Sequence, residues 1–110
     1  MIPDPAPPFE VNASGEIRDR IRQMLDRAAE LGVQPEIAST FTGILQHLTT
    51  DPREWGDPHW RFHTLQMIQF GGTLHHLRCE YSVHERIPTV VITKIFPLAG
   101  NPLYGEGFDP

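Results

Sequence analysis

The chain lacks most of what would mark a familiar chemistry. It has one cysteine, Cys79, so no internal disulfide can form, and a lone thiol suits a reducing compartment. No apolar run approaches the roughly 18 residues of a membrane span. The opening stretch, MIPDPAPPFE, has neither the positive nor the apolar region of a signal peptide. The expectation is a cytoplasmic protein with no membrane contact. No Walker loop, dinucleotide fingerprint, nucleophile elbow or CxxC pair occurs. His59 and His63 have metal spacing only on a helix, and here they fall in a proline-flanked loop and a strand start. No carboxylate or cysteine cluster accompanies them, so neither metal nor cofactor is expected. Basic charge is scarce too, with 9 Lys and Arg against 14 Asp and Glu and a net charge of -5. Nucleic-acid binders usually carry a clear basic footprint. Here it is local: residues 53–94 hold five basic groups, four acids and five of the six His.

What is present is the composition of one folded domain: 110 residues, 39% hydrophobic and 21% charged. Residues 1–8 contain four prolines and predict an extended, flexible arm. FEVNA (9–13) predicts a short edge strand. SGEIRDRIRQMLDRAAEL predicts a helix with Ser14 as N-cap, an apolar stripe through Ile17, Ile21, Met24, Leu25, Ala28 and Leu31, and Gly32 as its stop. Its Arg residues are interleaved with acids, the pattern of a solvated face. A second helix follows, with Pro35 in its first turn and Ile37, Phe41, Ile44, Leu45 and Leu48 on one side. The short joint predicts an antiparallel helical hairpin.

DPREWGDPHW, with two Asp-Pro steps, predicts a loop that Trp55 and Trp60 fix by packing. RFHTLQMIQF and TLHHLRCEYSV predict two strands with a turn at Gly71-Gly72. HERIP turns again, and TVVITKIF predicts a central strand. The expected fold is α+β: a helical hairpin packed on a small antiparallel sheet, in the order β-α-α-β-β-β. The single domain spans 9–98 and residues 99–110 form a C-terminal tail.

The register of the hairpin decides which side chains meet a ligand. A two-residue loop at the glycines mixes apolar and polar residues on both faces. A three-residue loop sorts them, placing Leu65, Met67, Leu77, Cys79, Tyr81 and Val83 on one face and Thr64, Gln66, His76, Arg78 and Glu80 on the other. The helices would then cover the first set and leave the second outward. There Arg78 could grip a phosphate in bidentate fashion; the alternative is an ion pair with Glu80. His76 is the best-placed acid or base, ahead of His63 and His84. Lys94 either reaches into a site beside Arg78 or packs its stem and sends its head to water. Tyr104 either swings onto the sheet face or anchors the tail. Arg61, His63, Gln66 and Glu80 would line the substrate. Cys79 falls on the core face as a structural thiol.

Taken together, LTTDPREWGDP, the strand hairpin and LRCEYSVHERIPTVVITKIFPL resemble the RelE/ParE toxins of bacterial type II toxin–antitoxin modules, over about residues 45–97. The shared pieces are a DP…G.P segment closing the second helix, an R..Y.V strand, a short acidic turn and a β-branched strand. The resemblance implies a small sheet on a helical hairpin, held inactive by a cognate antitoxin. In the ribonuclease branch it implies metal-independent cleavage of mRNA on the ribosome, by phosphoryl transfer from the ribose 2′-hydroxyl. Arg78 then matches the strand arginine and Tyr104 the C-terminal tyrosine, with His76 or Lys94 assisting. Thr64 and Gln66 stand where ribonuclease members often carry Lys, FPLAGNPL has no basic residue after the last strand, and the chain is acidic. The ParE-like branch, which acts on DNA gyrase without that catalytic set, tolerates these losses, as does a toxin-fold module used only for protein binding.

Overall fold

The computed structural model describes residues 7–110 of the chain; most of the expected arm, residues 1–6, lies outside the described residues. The elements are β1 (Glu10–Ala13), α1 (Gly15–Glu30), α2 (Gln34–Thr50), α3 (Pro52–Trp55), β2 (Asp57–Phe62), β3 (Met67–Leu74), β4 (Leu77–His84) and β5 (Thr89–Pro97). They form one five-stranded sheet in the order β1-β5-β4-β3-β2. β1 runs parallel to β5 and the other pairs are antiparallel. The fold is α+β as expected, but the sheet is mixed and has one strand more than the sequence predicts.

The helices start and stop where their end chemistry dictates. The Ser14 side chain accepts from Ile17 N–H at 3.2 Å, satisfying one donor that the first turn of α1 leaves free. Gly32 takes a positive φ of 75°, and Val33 N–H reaches back to the Ala28 carbonyl at 2.8 Å, closing the helix as a glycine-terminated end does. Met24 and Ala28 of α1 and Ile37, Ile44 and Leu48 of α2 are buried against one sheet face.

The hairpin is built differently from its expected form. The turn between β3 and β4 is His75-His76, not Gly71-Gly72; both histidines have positive φ, 49° and 60°. This is the geometry that lets a two-residue loop match the twist of its strands. Histidine tolerates it better than a β-branched residue would. The two glycines sit inside β3, pairing with Glu80 and Cys79, because both faces need the space. A Cβ on Gly72 would meet the Trp55 ring at 2.6 Å, and one on Gly71 would collide with the Arg78 guanidinium. Glycine inside a strand marks such close approaches.

Shifting the turn leaves the inferred faces of β4 intact. Leu77, Cys79, Tyr81 and Val83 are at most 1% exposed beneath the helices, while Arg78 and Glu80 alternate with them toward the other face. Leu65 and Met67 do not join the core set: Leu65 lies exposed in the 63–66 turn, and Met67 pairs with His84 in the outward-facing row.

The Asp-Pro segment is not a loop. Pro52 opens the short α3, and β2 begins immediately after it. Pro58 is tolerated because β2 is an edge strand and its register shifts between Pro58 and Trp60. Trp55 does fix this segment. His47, Trp55, Tyr81 and Phe70 form a near-parallel stack with successive centroids 5.0, 5.8 and 5.6 Å apart. The Tyr81 hydroxyl donates to the Pro52 carbonyl at 2.5 Å and accepts from Gly56 N–H at 3.1 Å. Trp60 is 63% exposed and packs nothing in place.

Residues 99–110 belong to the same core. Leu103 and Phe108 are buried, Arg20 of α1 donates to the Phe108 and Asp109 carbonyls, and Arg27 pairs with Glu106. No helix among the described residues is long and apolar enough to cross a membrane.

Candidate functional site

The sheet face away from the helices carries Arg78, Glu80, Lys94, Thr73, Gln69 and Trp60, and among the described residues no helix covers it. Lys94 reaches this face because β5 is bulged. Cys79 pairs with Ile95 and Glu80 with Lys94, whereas Tyr81 pairs with Ile92, so Thr93 is the extra residue. Ile92 and Ile95 can therefore both point into the core, and Lys94 between them points out. Thr93 Oγ1 ties the bulge to the Glu80 carbonyl at 3.0 Å.

Arg78 extends diagonally over Gly71 toward β2. Its Nη2 lies 3.0 Å from His59 Nε2 and its Nη1 donates to Thr73 Oγ1 at 3.5 Å. A guanidinium has donors only, so this contact is a hydrogen bond in the tautomer whose Nε2 carries no proton and accepts. Among the described residues, no ion pair involves Arg78, Glu80 or Lys94. The competing Arg78–Glu80 pair does not form. The cation is held by a hydroxyl and an imidazole, with no carboxylate partner among the described residues.

The other expected site residues are scattered. His76 is in the hairpin turn, not on the sheet face. Its carbonyl accepts from Leu98 N–H, and a Cβ on Gly100 would stand 3.0 Å from its ring, so it packs against the tail. Tyr104 is 56% exposed in a tail segment that Leu103 and Glu106 fasten on the helix side; it neither anchors that segment nor meets Arg78. Arg61 pairs with Glu85 at 2.5 Å, while His63 and Gln66 lie in the turn joining β2 to β3. That turn is at the far end of β3 from Thr73, about 20 Å along the strand. Only Glu80 and Lys94 share the face of Arg78 as neighbours. His84 Nδ1 is occupied by the Arg86 and Ile87 N–H groups.

Cys79 is structural: burial pushes its thiol up to about 12, far from the thiolate a nucleophile needs. Burial likewise raises the Tyr81 phenol, despite the Gly56 hydrogen bond. Among the described residues, no three His, Cys, Asp or Glu side chains cluster as a metal would need.

His59 is the neighbour of Arg78 that the sequence did not offer as a site residue on this face. Trp60 and Phe62, two apart, signal a strand but would put His59 on its other face; the register shift between Pro58 and Trp60 makes His59 the extra residue and brings its ring beside Arg78. The chain matches no protein-family model, and no curated protein is significantly similar to it.

Proposed function

We propose that this chain is a toxin-like protein of the RelE/ParE type, acting as a metal-independent endoribonuclease through Arg78 and His59. The observation that carries the reading is the arginine on an uncovered sheet face, held by an imidazole and a hydroxyl and by no carboxylate. The helical hairpin on one sheet face, the R..Y.V strand and the DP…G.P segment support the family. The Arg78–His59 pair supports the ribonuclease branch, with the histidine in the place the sequence had offered to His76.

The chemistry follows from the shared donor. When an RNA phosphodiester docks, the guanidinium exchanges His59 Nε2 and Thr73 Oγ1 for two phosphate oxygens. Nε2 is then free to take the proton of the neighbouring ribose 2′-hydroxyl. The 2′-oxygen attacks phosphorus and the P–O5′ bond breaks, leaving a 2′,3′-cyclic phosphate. The departing 5′-oxygen takes a proton from solvent, to which this face is open. Arg78 stabilises the charge that builds on the phosphoryl oxygens. Lys94, one cross-strand pair further along, adds positive potential over the scissile strand, and an antitoxin would silence the site by covering the face.

The test is induced expression in bacterial cells without a partner. Growth arrest with cleaved transcripts, relieved by Arg78→Ala and by His59→Ala, is the expected result. Arrest with DNA-damage markers and intact transcripts would point to gyrase. Undisturbed growth would refute the toxin reading.

A further inference from the structure

Beside the Arg78–His59 pair lies a surface that its chemistry does not use. Trp60 follows His59 on β2, and Phe62 follows two residues later. Both belong to the open face, since they pair with Gln69 and Met67 of β3. Trp60 is 63% and Phe62 37% exposed. Burying rings of this size is strongly favourable, and Trp55, five residues earlier, is stacked between His47 and Tyr81. A widely exposed Trp60 with the partly covered Phe62 beside it is therefore an aromatic edge that, among the described residues, is left open to an occupant.

We infer that Trp60 and Phe62 form a stacking platform for unpaired bases of single-stranded RNA, in line with the phosphate held by Arg78. This inference rests on the ribonuclease reading and names its substrate as an unstructured strand. Alternate residues of a strand are about 6.6 Å apart, a step that suits successive splayed nucleotides. Rings on an open sheet face bind bases of any sequence, because every base has a π-face. The surroundings favour nucleic acid over an apolar protein segment. Gln69 stands opposite Trp60 and Met67 opposite Phe62, so a hydrogen-bonding side chain borders the more exposed ring. The row beyond carries Arg78 and Lys94 against Glu80 and Asp57, so the local charge does not repel a phosphate backbone as the whole chain's -5 would. A duplex presents no free base faces and would not use the platform.

The experiment titrates the full chain with a 12-nucleotide oligoadenylate at low salt and follows indole fluorescence. Saturable quenching is expected. Trp60→Ala should abolish the quenching and weaken binding by roughly tenfold or more, and Trp60→Phe should restore most of the affinity. The Trp60→Ala variant should keep the salt dependence of binding that Arg78→Ala reduces. An oligoadenylate–oligouridylate duplex should compete poorly. Unchanged affinity in Trp60→Ala, or duplex binding equal to single-strand binding, overturns the platform. If transcripts are cleaved equally by wild type and Trp60→Ala but not by Arg78→Ala, the nuclease reading stands and the platform falls. If oligoadenylate binds through Trp60 but no transcript is cut, the platform stands and the nuclease reading falls. Loss of a co-purifying protein in Trp60→Ala with RNA binding intact also overturns the inference, in favour of a protein occupant.

Discussion

Gly71 and Gly72 are adjacent in β3 and do opposite things. Gly72 faces the helices, and the Trp55 ring lies where its side chain would be; Gly71 faces outward, and the Arg78 guanidinium lies where its own would be. On the covered face the space is filled by a rigid ring in a stack that joins α2, α3, β4 and β3. On the open face it is filled by the end of a flexible side chain with no acidic partner among the described residues. The same residue type therefore protects stability on one face and a candidate active site on the other. Substitutions on the two faces should separate these quantities.

The largest effect belongs to Tyr81, which is fully buried, stacked on both sides and bonded at its hydroxyl to Pro52 and Gly56. Tyr81→Ala should destabilise the fold by about 4 kcal/mol, the usual loss for a large buried aromatic, read as a fall in the urea midpoint. Arg78→Ala is its counterpart across the sheet. It should lower RNA cleavage by roughly 100-fold or more, the scale of losing a donor to a developing oxyanion, while unfolding shifts by no more than about 0.5 kcal/mol. An Arg78→Ala protein that unfolds early would show the two faces are not separable.

The glycine pair sharpens the contrast within two residues. Gly72→Ala should cost about 1–3 kcal/mol of stability, because the Trp55 ring has nowhere to move. Gly71→Ala should leave stability nearly unchanged, since only the ends of two exposed side chains, the Arg78 guanidinium and the His59 ring, must shift, yet reduce cleavage roughly tenfold by pushing the pair out of line. Equal unfolding midpoints for the two variants would break the comparison.

These residues also show what the sequence made legible. Both helices were readable because their apolar stripes and end residues agree. The alternation in LRCEYSV placed Arg78 outward and Tyr81 inward even with the turn misplaced, since a strand's period of two fixes its faces without its partners. Glycine is read as punctuation and so predicts a turn, whereas here the space above Gly71 and Gly72 is taken by the Arg78 guanidinium and the Trp55 ring, side chains that neighbouring elements bring there. His76 was misassigned for the same reason. His59 was hidden by prolines that an edge strand tolerates, and its contact with Arg78 spans three strands. A non-local contact of that kind leaves no local pattern.

The smallest expected effect concerns Arg61, which the sequence offered as a substrate ligand. Its guanidinium holds the Glu85 carboxylate below the usual glutamate range, chiefly through their hydrogen bond and in spite of some desolvation. A carboxylate whose folded pKa is depressed contributes stability that is fully present above the unfolded value, 4.5, and is lost as the pH falls through the lower folded value. Both side chains reach solvent, so the contribution is small and screened by salt. Wild type and Arg61→Gln should therefore differ slightly in urea midpoint at neutral pH and low salt, and converge in acid or in high salt. Cleavage by Arg61→Gln should match wild type, because this ion pair ties the far end of β2 to the β4–β5 turn and stands well away from Arg78. If cleavage falls while the midpoint stays fixed, Arg61 is a substrate contact after all, and the site wraps round the β2 edge to the row that Arg61 shares with Ile68.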